Sequence, residues 1–471
     1  MVIYWYNFYM AKLKLSFFGG AQEITGSCAL LETTVSRPTR ILVDCGLFQG
    51  PKFTEDRNAD PFPFDLKTID AVLITHAHID HIGRIPKLVK EGFKGKIYST
   101  SATRDISQLM LLDSLGVMSK EAKGKTGKLI YEEDDVNKAM RQWEGLNYHE
   151  EFGIGDFKIN FKDAGHILGS SIIEVFYSTT SSGQKKIVFT GDLGNSPAPL
   201  LRPAEKVKGA NFLIIETTYG NREHEGKAER KLKLERVIED TINMRGVLMI
   251  PAFSIERTQE LLFELNDLVE HVRIPAVPIF VDSPLAIAAT EIYKKYDDYY
   301  NKEAKYIMDS GDDLFKFPGL HFTRTTEESK QINDVPPPKV IIAGSGMSTG
   351  GRIIHHERRY LADPKSALLL ISYQVAGSLG RQLEEGIKEV KILGETVPVK
   401  AAVVTLRGYS AHPDMNDLFE FVENNYETME KVFSIQSEPK SALFFSQLIR
   451  DHLGINAVAP KYGDSFELDV E

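Results

Sequence analysis

The chain has 471 residues, of which 42% are hydrophobic and 26% charged, with a formal net charge of −10. That length exceeds what one core usually supports, so two or three domains are expected of an otherwise ordinary globular protein. Composition and charge speak against a run of roughly 20 apolar residues crossing a bilayer, a disulfide scaffold and the basic surface usual for phosphate-backbone binding.

The opening Met1-Val2-Ile3-Tyr4-Trp5-Tyr6 is apolar and aromatic, without a basic leader or a small-residue cleavage site. No secretory signal is read, and the only two cysteines, Cys28 and Cys45, suit a reducing cytoplasm. Leu13-Lys14-Leu15-Ser16-Phe17 alternates as a strand and ends in Gly19-Gly20; Cys28-Ala29-Leu30-Leu31 and Ile41-Leu42-Val43 read as the next two. Asp44 ends the third beside Gly46, where a carboxylate can fix the tautomer and ring orientation of a histidine that binds metal.

Ala71-Val72-Leu73-Ile74 is a short buried strand, and Thr75-His76-Ala77-His78-Ile79-Asp80-His81 follows at once. Three imidazoles and a carboxylate within six residues suit a borderline metal such as zinc, which takes nitrogen and carboxylate ligands and leaves a position for water. A tight loop can turn His76 and His78 toward one point and Asp80 and His81 toward a second, a pattern for two ions. Residues 104–142 carry amphipathic helices, with 120–128 a solvated lysine-rich face. His166 lies between glycines at a strand end and is the expected third ligand of the first ion. Ile187-Val188-Phe189-Thr190 delivers Asp192, whose two oxygens suit a bridge between ions. Phe212-Leu213-Ile214-Ile215 repeats the pattern with Glu216.

Helices then alternate with the strands at 246–253, 277–282, 339–343 and 367–372, which indicates a parallel sheet. After the third of these, Gly344-Ser345-Gly346-Met347-Ser348-Thr349-Gly350-Gly351-Arg352 combines glycines, hydroxyls and a helix N-terminus, the makings of an anion cradle. It is neither a P-loop nor a dinucleotide fingerprint. Near the end, residues 397–404 alternate as a strand, and His412 in Ser410-Ala411-His412-Pro413-Asp414 is expected to begin a helix, placed to complete a metal shell.

These motifs resemble the β-CASP branch of the metallo-β-lactamase-fold nucleases, the group of the cleavage-and-polyadenylation endonuclease and its bacterial and archaeal relatives. H-x-H-x-D-H falls on residues 76–81, with Asp44, His166, Asp192, Glu216 and the Ser-Ala-His-x-Asp context of His412 at the other motif positions. The resemblance implies an α/β fold: an αββα metallo-β-lactamase sandwich from residues 10–217 and 396–471, with a β-CASP domain of parallel sheet and flanking helices inserted at 218–395. It implies two zinc ions, one held by His76, His78 and His166, the other by Asp80, His81 and His412, with Asp192 between them. Asp44 and Glu216 would orient ligands, and Asp80, Asp192, Glu216 and His412 would form the catalytic set. Histidine rather than valine at position 412 implies RNA as substrate, cleaved internally or from a 5′ end, with no membrane association and a homodimer as one option for assembly.

Phosphates would be held by Ser345, Gly346, Met347, Ser348 and Arg352 with Ser378 and Arg381. The sequence departs from the family at Gln382, where the eukaryotic enzyme has a histidine proposed as general acid. Glutamine cannot transfer a proton at neutral pH, which leaves His355, His356 or water to do so. Two other readings stay open, a hydrolase of a small ester or thioester and a metal-retaining RNA-binding pseudoenzyme. Because the resemblance begins near Leu13, residues 1–9 are expected to be a leader outside the core.

Overall fold

A computed structural model describes residues 12–50, 52–122, 129–178, 183–224, 229–375 and 377–470. The expectations for residues 1–9, and most of that for 120–128, lie outside the described residues. The chain divides into two compact units, one within Met1–Gly194, Ala204–Glu223 and His412–Glu471, the other within Asn195–Pro203 and His224–Ala411.

The first unit holds two seven-stranded sheets. One runs Ser465–Asp469, Lys12–Phe17, Ala29–Thr33, Arg40–Val43, Ala71–Leu73, Lys96–Thr100, Trp143–Leu146, antiparallel up to Arg40–Val43 and parallel beyond it. The other runs Asn456–Val458, Lys431–Ile435, Phe212–Glu216, Gln184–Phe189, Ser171–Ser178, Phe157–Asp163, Phe152–Ile154; its first four strands are parallel and the rest antiparallel. Side chains on a strand alternate between faces. Leu13, Leu15 and Phe17 therefore pack with Phe161, Ile173, Phe212 and Ile214 in one core between the sheets. Leu213 and Ile215 face the other way, toward Leu418, Val422, Phe445 and Ile449, on the helices Met415–Glu423 and Pro439–Leu453. On the opposite outer face Leu42, Val72 and Ile97 meet Ile85, Leu88, Leu111 and Val136 from helices. The layers are α, β, β, α, as the metallo-β-lactamase resemblance implies.

The second unit is a six-stranded, all-parallel sheet in the order Leu320–Phe322, Ile279–Asp282, Lys339–Ala343, Val247–Pro251, Ala367–Leu370, Ala402–Thr405. Its four inner strands are buried on both faces and read in sequence as apolar runs, while the two edge strands are partly exposed. The stretch 397–404, expected as one strand, is two: Glu395–Pro398 closes a hairpin with Glu389–Ile392, and Ala402–Thr405 joins the sheet beside Ala367–Leu370. The expected domain boundary at 396 thus differs from the fold, where residues 396–411 go with the second unit because of that pairing. No helix among the described residues is long and apolar enough to cross a membrane, and both cysteines are buried free thiols.

Candidate metal centre

The polar side chains singled out around residues 76–81 lie in the first unit, His76 and His78 in the loop after Ala71–Leu73 and Asp80 and His81 on the short helix Ile79–Ile82. Asp44 directly follows Arg40–Val43 and adopts φ 61°, a left-handed conformation that aspartate tolerates better than most residues. From there its Oδ1 accepts the Thr75 backbone N–H at 2.8 Å. Its Oδ2 lies 2.8 Å from Thr75 Oγ1 and 2.7 Å from His81 Nδ1. Thr75 Oγ1 in turn lies 3.1 Å from His76 Nδ1. With Nδ1 of His76 and His81 both engaged in this way, each ring directs Nε2 inward.

Four donors converge there. His76 Nε2 lies 3.0 Å from His78 Nδ1, which is 3.3 Å from His166 Nε2. Asp192 Oδ2 is 3.6 Å from the Nε2 atoms of both His76 and His166. The other oxygen, Asp192 Oδ1, points elsewhere, 3.4 Å from His81 Nε2, which is itself 3.8 Å from Asp80 Oδ2. One ligand atom from each of His76, His78, His166 and Asp192 falls within a 4.8 Å span, and so does one from each of Asp192, Glu216 and His412. Glu216 ends the strand Phe212–Glu216; its oxygens lie 2.9 and 3.0 Å from His412 Nδ1, and Oε1 accepts the Leu193 N–H at 2.7 Å. His412 does not begin a helix: the helix starts at Met415, where the Asp414 side chain accepts from Asn416 N and Asp417 N.

The electrostatics of this buried cluster ask for positive charge. Burial and then the charge on His81 hold the His76 pKa well below the imidazole range. Burial raises the Asp80 carboxyl to about 6 against the pull of His81. Burial also opposes the charge on Asp192, yet the imidazoles of His81 and His76 hold its pKa well below the carboxylate range. Burial would discharge His412, but the Glu216 carboxylate overcomes it and lifts the imidazole to about 9. Ring nitrogens 3.0–3.3 Å apart, facing the Asp192 carboxylate, are what a divalent cation satisfies, and the donor set of nitrogen and carboxylate oxygen fits zinc.

Sequence reasoning missed Gln436. It follows the strand Lys431–Ile435, is buried, and places Nε2 3.0 Å from His81 Nε2 and 3.1 Å from the Ile24 carbonyl. A lone glutamine after a strand carries no spacing signal that could have marked it.

The residues expected to hold phosphate lie in the second unit, and most already have partners there. Arg352 donates to Asp282 Oδ1 at 2.7 Å and to the carbonyls of Thr323 and Arg324. Ser348 is buried with its hydroxyl on Glu357, and Arg381 donates to Glu385. Ser378 caps the helix Leu379–Glu384 by accepting the Arg381 N–H. Ser345 closes its own turn, accepting from Thr349 N at 3.0 Å, around Gly346 and Met347. His356 is buried against Asp282 at 2.7 Å, while His355 is exposed.

Two facing sheets with helices outside, and imidazoles and carboxylates gathered at strand ends, define the metallo-β-lactamase class of metal-dependent hydrolases. The chain belongs to the β-CASP family within that class. A β-lactamase superfamily domain matches residues 39–244, a β-CASP domain 258–383, and a Zn-dependent metallo-hydrolase RNA specificity domain 396–460. Ribonuclease TTHA0252 of Thermus thermophilus is 36% identical over 92% of this chain and 95% of its own length. An RNase J-like protein of Methanocaldococcus jannaschii is 34% identical over 95% and 98%. Transcription termination factor FttA of Methanosarcina mazei is 33% identical over 95% of this chain and 70% of its own. A crystal structure of a protein of unknown function from Enterococcus faecalis shares the fold, with TM-score 0.54 at 14% identity, covering 97% of this chain and all of that one.

Proposed function

We propose that this protein is a di-zinc ribonuclease that hydrolyses RNA phosphodiester bonds in the cytoplasm. The observation that carries the reading is the split of Asp192, with Oδ2 toward His76 and His166 and Oδ1 toward His81. A carboxylate shared in this way suits two neighbouring cations rather than one. His76, His78 and His166 would hold the first, and Asp80, His81 and His412 the second. When bound, such ions acidify water and withdraw charge from a phosphodiester. The chain's own residues set this up: Asp44 and Thr75 fix the tautomers of His76 and His81, and Glu216 fixes that of His412. Burial raises the Asp80 carboxyl, and a cation held there would favour its ionised form. RNA rather than a small ester as substrate is supported by the relatives named for ribonuclease activity and by the RNA specificity domain. Phosphate contacts by Ser345, Gly346, Met347, Ser348, Arg352, Ser378 and Arg381 belong to the same reading; for Ser348, Arg352 and Arg381 they require an internal partner to be exchanged.

The test is metal analysis of the purified chain together with gel assays on 5′-phosphorylated and 5′-hydroxyl RNA. Two equivalents of zinc and chelator-sensitive cleavage are expected. One equivalent, or RNA left intact by fully loaded protein, overturns the reading.

A further inference from the structure

The second unit exposes two aromatic rings at one edge of its parallel sheet. Phe253 stands two residues beyond the strand Val247–Pro251, and Tyr373 three beyond Ala367–Leu370, and these strands are paired neighbours. Phe253 is 38% exposed and Tyr373 45%. Parallel sheets bind ligands outside the carboxyl ends of their strands, which is where both rings sit.

The backbone of Phe253 is anchored in that position. Its carbonyl accepts from both the N–H and the hydroxyl of Thr258. One side of its ring is covered by Gly346, where a Cβ would come within 2.9 Å of the ring carbons. Gly346 is in turn fixed by Gln374, the residue after Tyr373, whose Nε2 donates to the Gly346 carbonyl at 3.0 Å. The Phe253 ring thus packs on this turn, and Tyr373 directly precedes the glutamine that fixes it. Hydroxyls lie beside them: Ser254 and Ser283 are 3.3 Å apart, and Ser345 and Thr349 are 3.2 Å apart. A phenyl ring backed by Gly346 and partly left in water gains by being covered, and its polar surroundings suit a flat ligand that carries hydroxyl and phosphate groups.

The geometry points to a nucleobase-stacking platform at Phe253 and Tyr373, which takes single-stranded RNA by the faces of its bases. This rests on RNA being the substrate, but not on the metal centre. Stacking of a base on an aromatic side chain is tolerant of sequence and is lost when the π face is removed. The ordered turn at 344–351 then sets where the sugar and phosphate of the stacked nucleotide fall.

The test uses the full chain with metal stripped by chelator, so that RNA stays intact. Binding of a short 5′-phosphorylated single-stranded RNA is compared with binding of an abasic strand of the same length. Wild type is expected to prefer the base-bearing strand. Phe253→Leu and Tyr373→Leu keep apolar bulk without a π face; each should weaken RNA binding about fivefold to 100-fold and leave abasic binding unchanged. Phe253→Trp should bind RNA at least as well as wild type, which a merely structural role would not produce. Equal losses on both strands, or no loss in either leucine variant, overturn the platform while RNA as substrate stands. Wild type that binds neither strand overturns both. A Phe253→Leu protein with a collapsed melting transition leaves Tyr373→Leu to decide on the same criteria.

Discussion

His412 Nδ1 lies 2.9 Å from Glu216 Oε2, although 196 residues separate the two in the chain. The carboxylate is fully buried, and the imidazole is held charged in the absence of metal. Glu216 also accepts the Leu193 N–H, one residue after Asp192. It therefore orients an imidazole and steadies the backbone that carries the shared carboxylate. Such partners of metal-binding histidines are typically worth about 10–100-fold in affinity or activity. Glu216→Ala is expected to slow RNA cleavage by about that factor with its circular dichroism unchanged, and Glu216→Gln, which keeps one acceptor oxygen, should lose less. An alanine variant within twofold of wild type would show that the contact does not position His412.

Much of this site was legible because each group follows an apolar strand, where a polar side chain has no reason to be buried unless it meets a partner. His76, His78, His166 and Asp192 announce themselves in this way, and the structure gathers them within 4.8 Å. What was not legible depends on contacts distant in sequence. The basic residues after the turn at 344–352 read as anion ligands, but Arg352 is taken by Asp282, 70 residues earlier. Gln436 reaches His81 across 355 residues, with no local pattern to show it. The alternation over 397–404 looks like one strand, since periodicity cannot show that the chain turns between a hairpin and a sheet.

His78 contributes the ring nitrogen that faces both His76 and His166. Among the described residues no other histidine or acid completes that set. His78→Ala should remove most of one metal equivalent, read by elemental analysis of the purified variant, and cleavage should fall with it. Two full equivalents retained would place the ions elsewhere.

Gly46 sits where the segment after Asp44 crosses the short helix Ile79–Ile82, and Cys45 N and Leu47 N donate to the carbonyls of His81 and Ile79. A Cβ at position 46 would fall 1.5 Å from the Asp80 carbonyl oxygen. That approach allows nothing larger than glycine. Gly46→Ala should cost about 1–3 kcal/mol or more, as overpacking does, and should displace Asp80 and His81 together. Thermal denaturation and metal content should therefore fall in parallel; an unchanged melting temperature would mean the helix shifts freely.

Glu357 is buried in the second unit on the helix Ile353–Tyr360, with Ser348 donating its hydroxyl to Oε1. Burial raises its carboxyl from 4.5 to about 7, and the Ser348 hydroxyl only partly opposes this. The unfolded chain loses this proton near pH 4.5, while the folded chain keeps it to about pH 7. Between those values the unfolded state binds fewer protons, so the contribution of Glu357 to stability falls as pH rises, by about 3 kcal/mol at most. Below that window the contribution is full, and above it the loss is complete. Glu357→Gln keeps an acceptor for Ser348 and cannot ionise. Its buried amide shifts stability by a fixed amount at every pH, so the readout is the slope. Melting temperatures of wild type and variant across pH 4–8 should show the wild type losing ground to the variant through the window and running parallel outside it. A constant difference at all pH values would mean that Glu357 ionises as it does in water and that the turn it holds is open to solvent.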